Sequence, residues 1–340
     1  MQTEPTQMAA WQHENAPTLR VAAAPIATPR GNEILIENAV IAINPLDWLL
    51  QSGMSLPWLT FPMITGSDVA GTVSAVGPDV TRFAIGDRVL GQAVSTTVNR
   101  PAEGAFQHYT IVADHMAAPI PATVSFAEAA VLPLGLGTAA GGLYGETQLA
   151  LLPPSLSPEA RDEVVLVWGG SSSVGCNAIQ LAVASGYTVF ATASASNATM
   201  LKDLGAAQVF DHTDDTFADR LVAALEGRRL AGTLHATGSL QHCAEIVSRV
   251  EGSKRIAATL PAPGDFREDV TVGHIHGTAL KDDAVGRMIY EAFLPAALAQ
   301  GRYRAAPKPR ISGHGLQALQ DALALQKAGV SGAKIVVSLR

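Results

Sequence analysis

The sequence predicts an α/β chain in two parts, a β-rich first domain followed by a doubly wound parallel sheet. Three observations predict it. Residues 164–168 are a short apolar, β-branched run, followed at once by Gly169, Gly170 and a small-residue turn. Residues 176–184 then repeat apolar positions at helical spacing. The pattern changes near residue 125, and after residue 162 strand-like and helix-like runs alternate to about 280, as they do where helices cross between parallel strands. Residues 1–125 instead carry short strand-like runs punctuated by Gly, Pro and Asn.

Taken in order, residues 33–43, 70–80 and 83–91 read as strands and turns of the first domain, with no internal repeat and no low-complexity tract. Ser125 and Glu128 form the ends of a capping box that starts a helix. Residues 134–144 make a Gly/Ala-rich helix whose backbone can approach a flat partner closely, and residues 145–162 read as a surface connection. The 164–168 strand is expected to be buried on both faces. The helix after it stops at Ser185-Gly186. Residues 187–193 form the second strand of a βαβ unit, and 209–212, 232–238 and 255–260 are further strand ends. The chain closes with a helix over 315–328, a Gly-Val-Ser-Gly turn and a strand over 334–339. That last strand has no neighbour of its own kind nearby and is expected to return to the first domain.

The turn after residue 168 carries the first chemistry. Gly170, Ser172 and Gly175 stand at the three positions of the glycine pattern that opens a dinucleotide site. Free N–H groups and the positive end of the helix dipole face such a turn, ready for a pyrophosphate. Ser172 in the middle position narrows the approach and adds a hydroxyl donor. Alone, the motif is also compatible with a strand–helix turn that binds nothing. The next strand ends in Ser194-Ala195-Ser196-Asn197, with no Asp or Glu to hold a ribose 2′-hydroxyl. A neutral, donor-rich end suits a 2′-phosphate, and so NADPH over NADH.

The totals exclude several classes. The chain has 340 residues, net charge −7 and a pI near 5.7, with 48% hydrophobic and 16% charged residues. This is a folded chain, not a disordered one. The acidic balance argues against nucleic acid and against an anionic membrane surface. No apolar run is expected to reach the roughly 18 residues that cross a bilayer. Met1 to Pro5 lack the form of a signal peptide. The only cysteines, Cys176 and Cys243, look like core positions. A reduced, cytoplasmic protein is the simplest expectation.

The order of parts resembles the medium-chain dehydrogenase/reductase superfamily. Ala42-Ile43-Asn44-Pro45-Leu46-Asp47 looks like the Asn-Pro-x-Asp segment of its quinone reductase and enoyl reductase branches, and residues 65–71 look like the segment after it. Residues 80–89, 103–109, 129–133, 205–206 and 331–337 also match. The similarity is greatest to fungal trans-acting enoyl reductases and zinc-binding-dehydrogenase-like proteins of secondary-metabolite clusters. It implies a GroES-like β-rich catalytic domain at 1–125, a Rossmann NADPH-binding domain at 126–281, and a return to the catalytic domain at 282–340. Zinc relatives need a thiolate and an imidazole. The resemblance puts Asn44 at the cysteine position and Ser67 at the histidine position, leaving Asp68 as the one ligand, and the cysteines of the structural zinc lobe are missing. His274 and His276 read as packing or surface residues. No metal is expected.

The resemblance also implies roles. Asn44 and Asp47 would lie at the nicotinamide and substrate cleft, with Thr138 by the nicotinamide or its ribose. On its own, Asp47 reads as a cap or turn carboxylate. Gly170, Ser171, Ser172, Ser173, Val174 and Gly175 would hold the pyrophosphate. Ser194, Ser196 and Asn197 would hold the 2′-phosphate. His212 would sit near the adenosine, unless it is a plain surface histidine. Thr237 would pass the cofactor at its strand end, and Ser331 would close over it. Lys202 is expected to point to solvent. No residue is a convincing general acid, Tyr144 and Tyr109 being unsupported candidates. Trp48, Met54, Trp58, Leu59 and Phe61 either line a pocket for a hydrophobic acyl or aromatic substrate or form ordinary core. The expectation is therefore an NADPH-dependent reductase of an activated C=C bond, acting on a small hydrophobic substrate such as a polyketide intermediate or carrier-bound acyl chain. An NADPH:quinone reductase and a non-catalytic NADPH-binding protein stay open, as do monomer and homodimer.

Overall fold

The computed structural model describes residues 5–263 and 266–340; the leader reading at Met1 to Glu4 falls outside the described residues. Two compact units divide the chain, one of residues 1–134 and 308–340, the other of residues 135–307.

In the first unit the strands are β1 (Thr6–Gln12), β2 (Arg20–Pro25), β3 (Glu33–Ala42), β4 (Met63–Ile64), β5 (Asp68–Val76), β6 (Arg88–Gln92), β7 (Tyr109–Ala113) and β8 (Ala117–Pro119). The second unit adds β9 (Glu163–Trp168), β10 (Thr188–Ala193), β11 (Gln208–Asp211), β12 (Arg229–His235), β13 (Arg255–Ala258) and β14 (Thr271–His274). The chain then returns to the first unit with β15 (Lys308–His314) and β16 (Ala333–Ser338).

The spine of the first unit is β3, ten residues of which Ile34, Ile36 and Ile41 are fully buried. It pairs antiparallel with β5, β7 and β16. Register decides what meets at its end: Ala42 lies opposite Asp68 on one side and Val336 on the other. Just beyond, Ile43 donates its N–H to Ile335 O at 3.0 Å. Asn44, Asp68 and Lys334 therefore converge, although 290 residues separate the first from the last. The final strand has a partner of its own, since β15 pairs with it in parallel.

The second unit holds a six-stranded sheet in the order β11-β10-β9-β12-β13-β14, every pair parallel. Strand order reverses beside β9, which makes the carboxyl end of β9 the switch point where open α/β sheets bind ligands. Val164 to Trp168 are buried, as a strand covered on both faces should be. Leu166, Phe190, Phe217, Leu221 and Ile256 pack one face of this core. Cys243 belongs to this core; both cysteines are buried, and burial pushes both thiols up, Cys176 to about 12.

One composition reading needs correcting. Phe126–Tyr144 runs 19 residues at mean hydropathy 1.3, long and apolar enough to cross a bilayer. Read as two separate helices, it had not reached that length. Its window is 78% buried within the protein, so it is a core segment by packing.

Candidate functional site

The nucleotide-type turn is built from backbone. Gly169 holds φ +80°, a conformation that side chains disfavour. Its N–H donates to Thr192 Oγ1 at 3.0 Å, and Gly170 N–H donates to Thr192 O at 2.8 Å. Thr192 thereby ties the turn to the adjacent strand, a role invisible in the motif. A Cβ on Gly175 would stand 2.3 Å from Gly169 O, so the helix can start this close only without a side chain there. A Cβ on Gly169 would meet Thr237 Cγ2 at 2.6 Å. Thr237, at the end of β12, therefore packs over the turn.

Ser172 caps the helix Ser173–Ala184: its Oγ accepts the Gly175 N–H at 3.0 Å and donates to Gly169 O at 2.8 Å. Its proton is engaged inside the turn and is not free for a phosphate. Ser171, Ser173 and Val174 are half-buried around it, and the first N–H groups of that helix have no intrahelical acceptor. The chemistry of the turn suits a pyrophosphate: Gly169, Gly170 and Gly175 put no side chain of their own between the backbone and a ligand, and the first N–H groups of the helix border it. The helix Pro133–Tyr144 comes close here too, since a Cβ on Gly135 would lie 3.1 Å from Ser173. Thr138, one turn on and buried, shares that face.

At the end of β10 the predicted phosphate donors gather. Ser194 Oγ and Ser196 Oγ are 3.2 Å apart, and Asn197 Nδ2 donates to Ser194 Oγ at 3.0 Å. The parallel register sets Asp211 opposite Ala193. Asp211 Oδ2 accepts the Ala195 N–H at 3.2 Å, while Oδ1 takes the N–H and hydroxyl of Thr213 at 3.0 and 2.8 Å. These hydrogen bonds, chiefly from Thr213, hold its carboxyl below the usual range. The strand end is thus not free of carboxylate, as its own sequence suggests; a neighbouring strand supplies one. His212 is exposed beside it, its N–H 3.4 Å from Ala193 O.

In the first unit a buried polar cluster surrounds Asn44. Lys334 Nζ donates to Asn44 Oδ1 at 2.6 Å and to Asp68 Oδ2 at 2.9 Å. Asn44 Nδ2 donates to Asp68 Oδ2 at 2.7 Å, and Asp68 Oδ1 accepts the Leu134 N–H at 2.6 Å. Asp47 Oδ2 accepts the Asn44 N–H at 2.7 Å at the start of the helix Pro45–Gln51. Asn44, Asp47, Asp68 and Lys334 are each at most 5% exposed. Burial pushes the Asp47 carboxyl up to about 7, and the Asp68 charge adds to this; the Asn44 N–H and Lys334 pull the other way. Asp47 therefore serves as a cap that backs Asn44. Ser331 is exposed in the turn before β16.

The other candidates resolve simply. Tyr144 donates to Leu181 O at 3.1 Å and bonds Ser185 Oγ at 2.9 Å, and burial pushes its phenol up, so it is a structural residue. His274 and His276 contact each other edge to face at 4.5 Å. Among the described residues no group of three or more His, Cys, Asp or Glu could hold a metal ion. Trp48 bonds Gln326 and lies under the Lys327 ammonium at 5.4 Å. Trp58 and Met54 are 54% and 40% exposed, so this segment is not closed core.

A model of the alcohol dehydrogenase GroES-like domain matches residues 30–122. The dehydrogenase pigH of Monascus ruber is 42% identical, over 98% of this chain and 100% of its own. The chain belongs to the medium-chain dehydrogenase/reductase superfamily. It is an oxidoreductase of that superfamily, with a GroES-like β-rich domain and a Rossmann sheet. The trans-enoyl reductase himH of Aspergillus japonicus, 38% identical over 97% of both chains, is a second relative. The crystal structure of an alcohol dehydrogenase superfamily protein from Novosphingobium aromaticivorans superposes with TM-score 0.79 at 25% identity, covering 98% of this chain and all of that one.

Proposed function

We propose that the protein is an NADPH-dependent reductase that delivers hydride to an activated C=C bond of a small hydrophobic substrate, such as a polyketide intermediate or carrier-bound acyl chain, without a metal. The observation that carries this reading is the cluster around Asn44. Of its two carboxyl groups, Asp68 is already paired with an ammonium and Asp47 caps the Asn44 N–H, so a divalent ion would have to displace Lys334. The residues do not fit a zinc ion, which wants thiolate, imidazole or free carboxylate. Carbonyl chemistry that leans on a Lewis acid loses its electrophile. An α,β-unsaturated thioester is activated by its own carbonyl. The 38% identity to a trans-enoyl reductase supports the same choice.

In this reading NADPH supplies the hydride. The turn from Gly170 to Gly175 holds its pyrophosphate, with the N–H groups of Ser171, Ser173 and Val174 as donors because those of Gly170 and Gly175 are already engaged; Thr237 and His212 border it, and Ser194, Ser196 and Asn197 hold the 2′-phosphate. Thr138, Asn44 and Asp47 belong to the nicotinamide end, where Asn44 contributes an N–H and Asp47 fixes its backbone; Ser331 closes over the cofactor. Trp58 and Met54 supply apolar surface for the acyl chain. The reaction is tested by following NADPH absorbance with an enoyl thioester and with a quinone, each as sole acceptor. Turnover of the thioester alone is expected. Turnover of the quinone alone makes the protein a quinone reductase, and tight NADPH binding with neither makes it a non-catalytic binder.

Ser194→Asp tests the phosphate assignment. A second carboxylate beside Asp211 would repel a 2′-phosphate, and like charges about 4 Å apart near a surface weaken binding roughly 10- to 100-fold once screened. Titration calorimetry is expected to show that loss for NADPH, with NADH changed less than threefold. Equal weakening of both removes the assignment.

A further inference from the structure

We propose that Lys334 is a positioning residue of the reductase site, and that with Asp68 it sets which way the Asn44 amide faces. This rests on the reading of Asn44 as part of that site. An asparagine amide can be turned end for end at little steric cost, so its direction follows from its partners. Lysine only donates, and an ionised carboxylate only accepts. Lys334 Nζ at 2.6 Å therefore requires the amide oxygen, and Asp68 Oδ2 at 2.7 Å requires the amide nitrogen. Asp47 holds the same residue's backbone N–H at 2.7 Å. Three anchors thus fix Asn44 and leave its second Nδ2 proton without an assigned partner in this cluster.

The ammonium is as fixed as the amide. Lys334 is 4% exposed and Asp68 0% exposed, and β16 carries the lysine to this place by its register with β3. The ammonium has three donors, and two of them go to Asn44 Oδ1 at 2.6 Å and Asp68 Oδ2 at 2.9 Å, so the amide and the carboxylate are held by one group.

The test uses the full-length double variant Lys334→Met with Asp68→Asn, which removes both charges together and so avoids leaving one buried alone. The new asparagine can keep accepting the Leu134 N–H, and its amide nitrogen then faces Asn44 Nδ2, donor against donor. The Asn44 amide is expected to invert. Proteins labelled with ¹⁵N-asparagine, with the signal assigned through Asn44→Ala, report this directly. In the parent the Asn44 side-chain pair should be well dispersed and slow to exchange; in the double variant it should shift and exchange at least tenfold faster. For turnover of the enoyl thioester, kcat should fall at least tenfold, with the NADPH Kd within threefold and a native thermal transition retained. A double variant that folds, keeps the parent Asn44 signals and keeps kcat within twofold overturns the proposal, because the pair would then be structural alone. If the double variant does not fold, Lys334→Gln with Asp68→Asn is measured the same way, since the glutamine amide can accept from an inverted Asn44: parent Asn44 signals with kcat within twofold overturn the proposal, and shifted signals with reduced kcat support it. Absence of turnover in the parent overturns the reductase reading, and the amide signals then decide the role of Lys334 by themselves.

Discussion

Asp68→Ala is expected to lower folding stability by about 3–5 kcal/mol, the usual cost of breaking a buried ion pair from one side. The loss has named parts. Lys334 keeps its charge at a position that is 4% exposed and still donates to Asn44 Oδ1. The Leu134 N–H, at the start of an apolar helix, loses its 2.6 Å bond to Asp68 Oδ1. Asn44 Nδ2 loses its own. The buried Asn44 amide left without that acceptor adds to the cost. The variant's urea midpoint at neutral pH measures the sum. Because the pair is shielded from solvent, raising the salt concentration should recover little of it. A loss below about 1 kcal/mol would mean that water reaches the ammonium and that the cluster is open, since surface pairs contribute no more than that.

This cluster was the least legible part of the sequence, and the reason is register. The turn from Gly169 to Gly175 could be read from one stretch, because its strand, glycines and helix are neighbours in the chain. Lys334 looked like the opening residue of an ordinary final strand. Only the pairing of β3 with β5 and β16 carries it to Asn44. Asp211 escaped for the same reason: the donor-rich end of β10 is neutral by its own residues, and a parallel neighbour brings the carboxylate. β15 was missed because Lys-Pro-Arg-Ile-Ser-Gly-His shows no apolar alternation, and its pattern is in fact mostly exposed. Thr192 was missed because it anchors the turn from across the sheet. Capping, by contrast, was legible where it is local, as at Ser125, whose Oγ accepts the Glu128 N–H at 3.2 Å. Sequence patterns thus disclosed the strand, turn and helix at residues 163–184, which are local. The charge balance around Asn44 needed the sheet.

Asp47→Asn should change how stability depends on pH. The folded protein holds the Asp47 carboxyl up at about 7 against an ordinary value of 3.8. Between about pH 4 and about pH 7 the native chain keeps a proton there that the unfolded chain has released. Stability falls with rising pH wherever the native state binds more protons, by about 1.4 kcal/mol per unit for one proton. Asp47 is therefore expected to cost about 4 kcal/mol across that window and nothing further above it. The cause is burial first and the charge of Asp68 second; Lys334 and the Asn44 N–H moderate both. Asparagine cannot titrate, yet its oxygen can still accept the Asn44 N–H. The variant should match the parent near pH 4 and gain on it steadily, so that by pH 8 it is the more stable protein. Urea midpoints of the two at half-unit steps give the difference curve directly, and it isolates Asp47 from every carboxyl that the two proteins share. A flat difference curve would show that Asp47 is ionised throughout, and that Lys334 neutralises both carboxylates of the cluster instead of one.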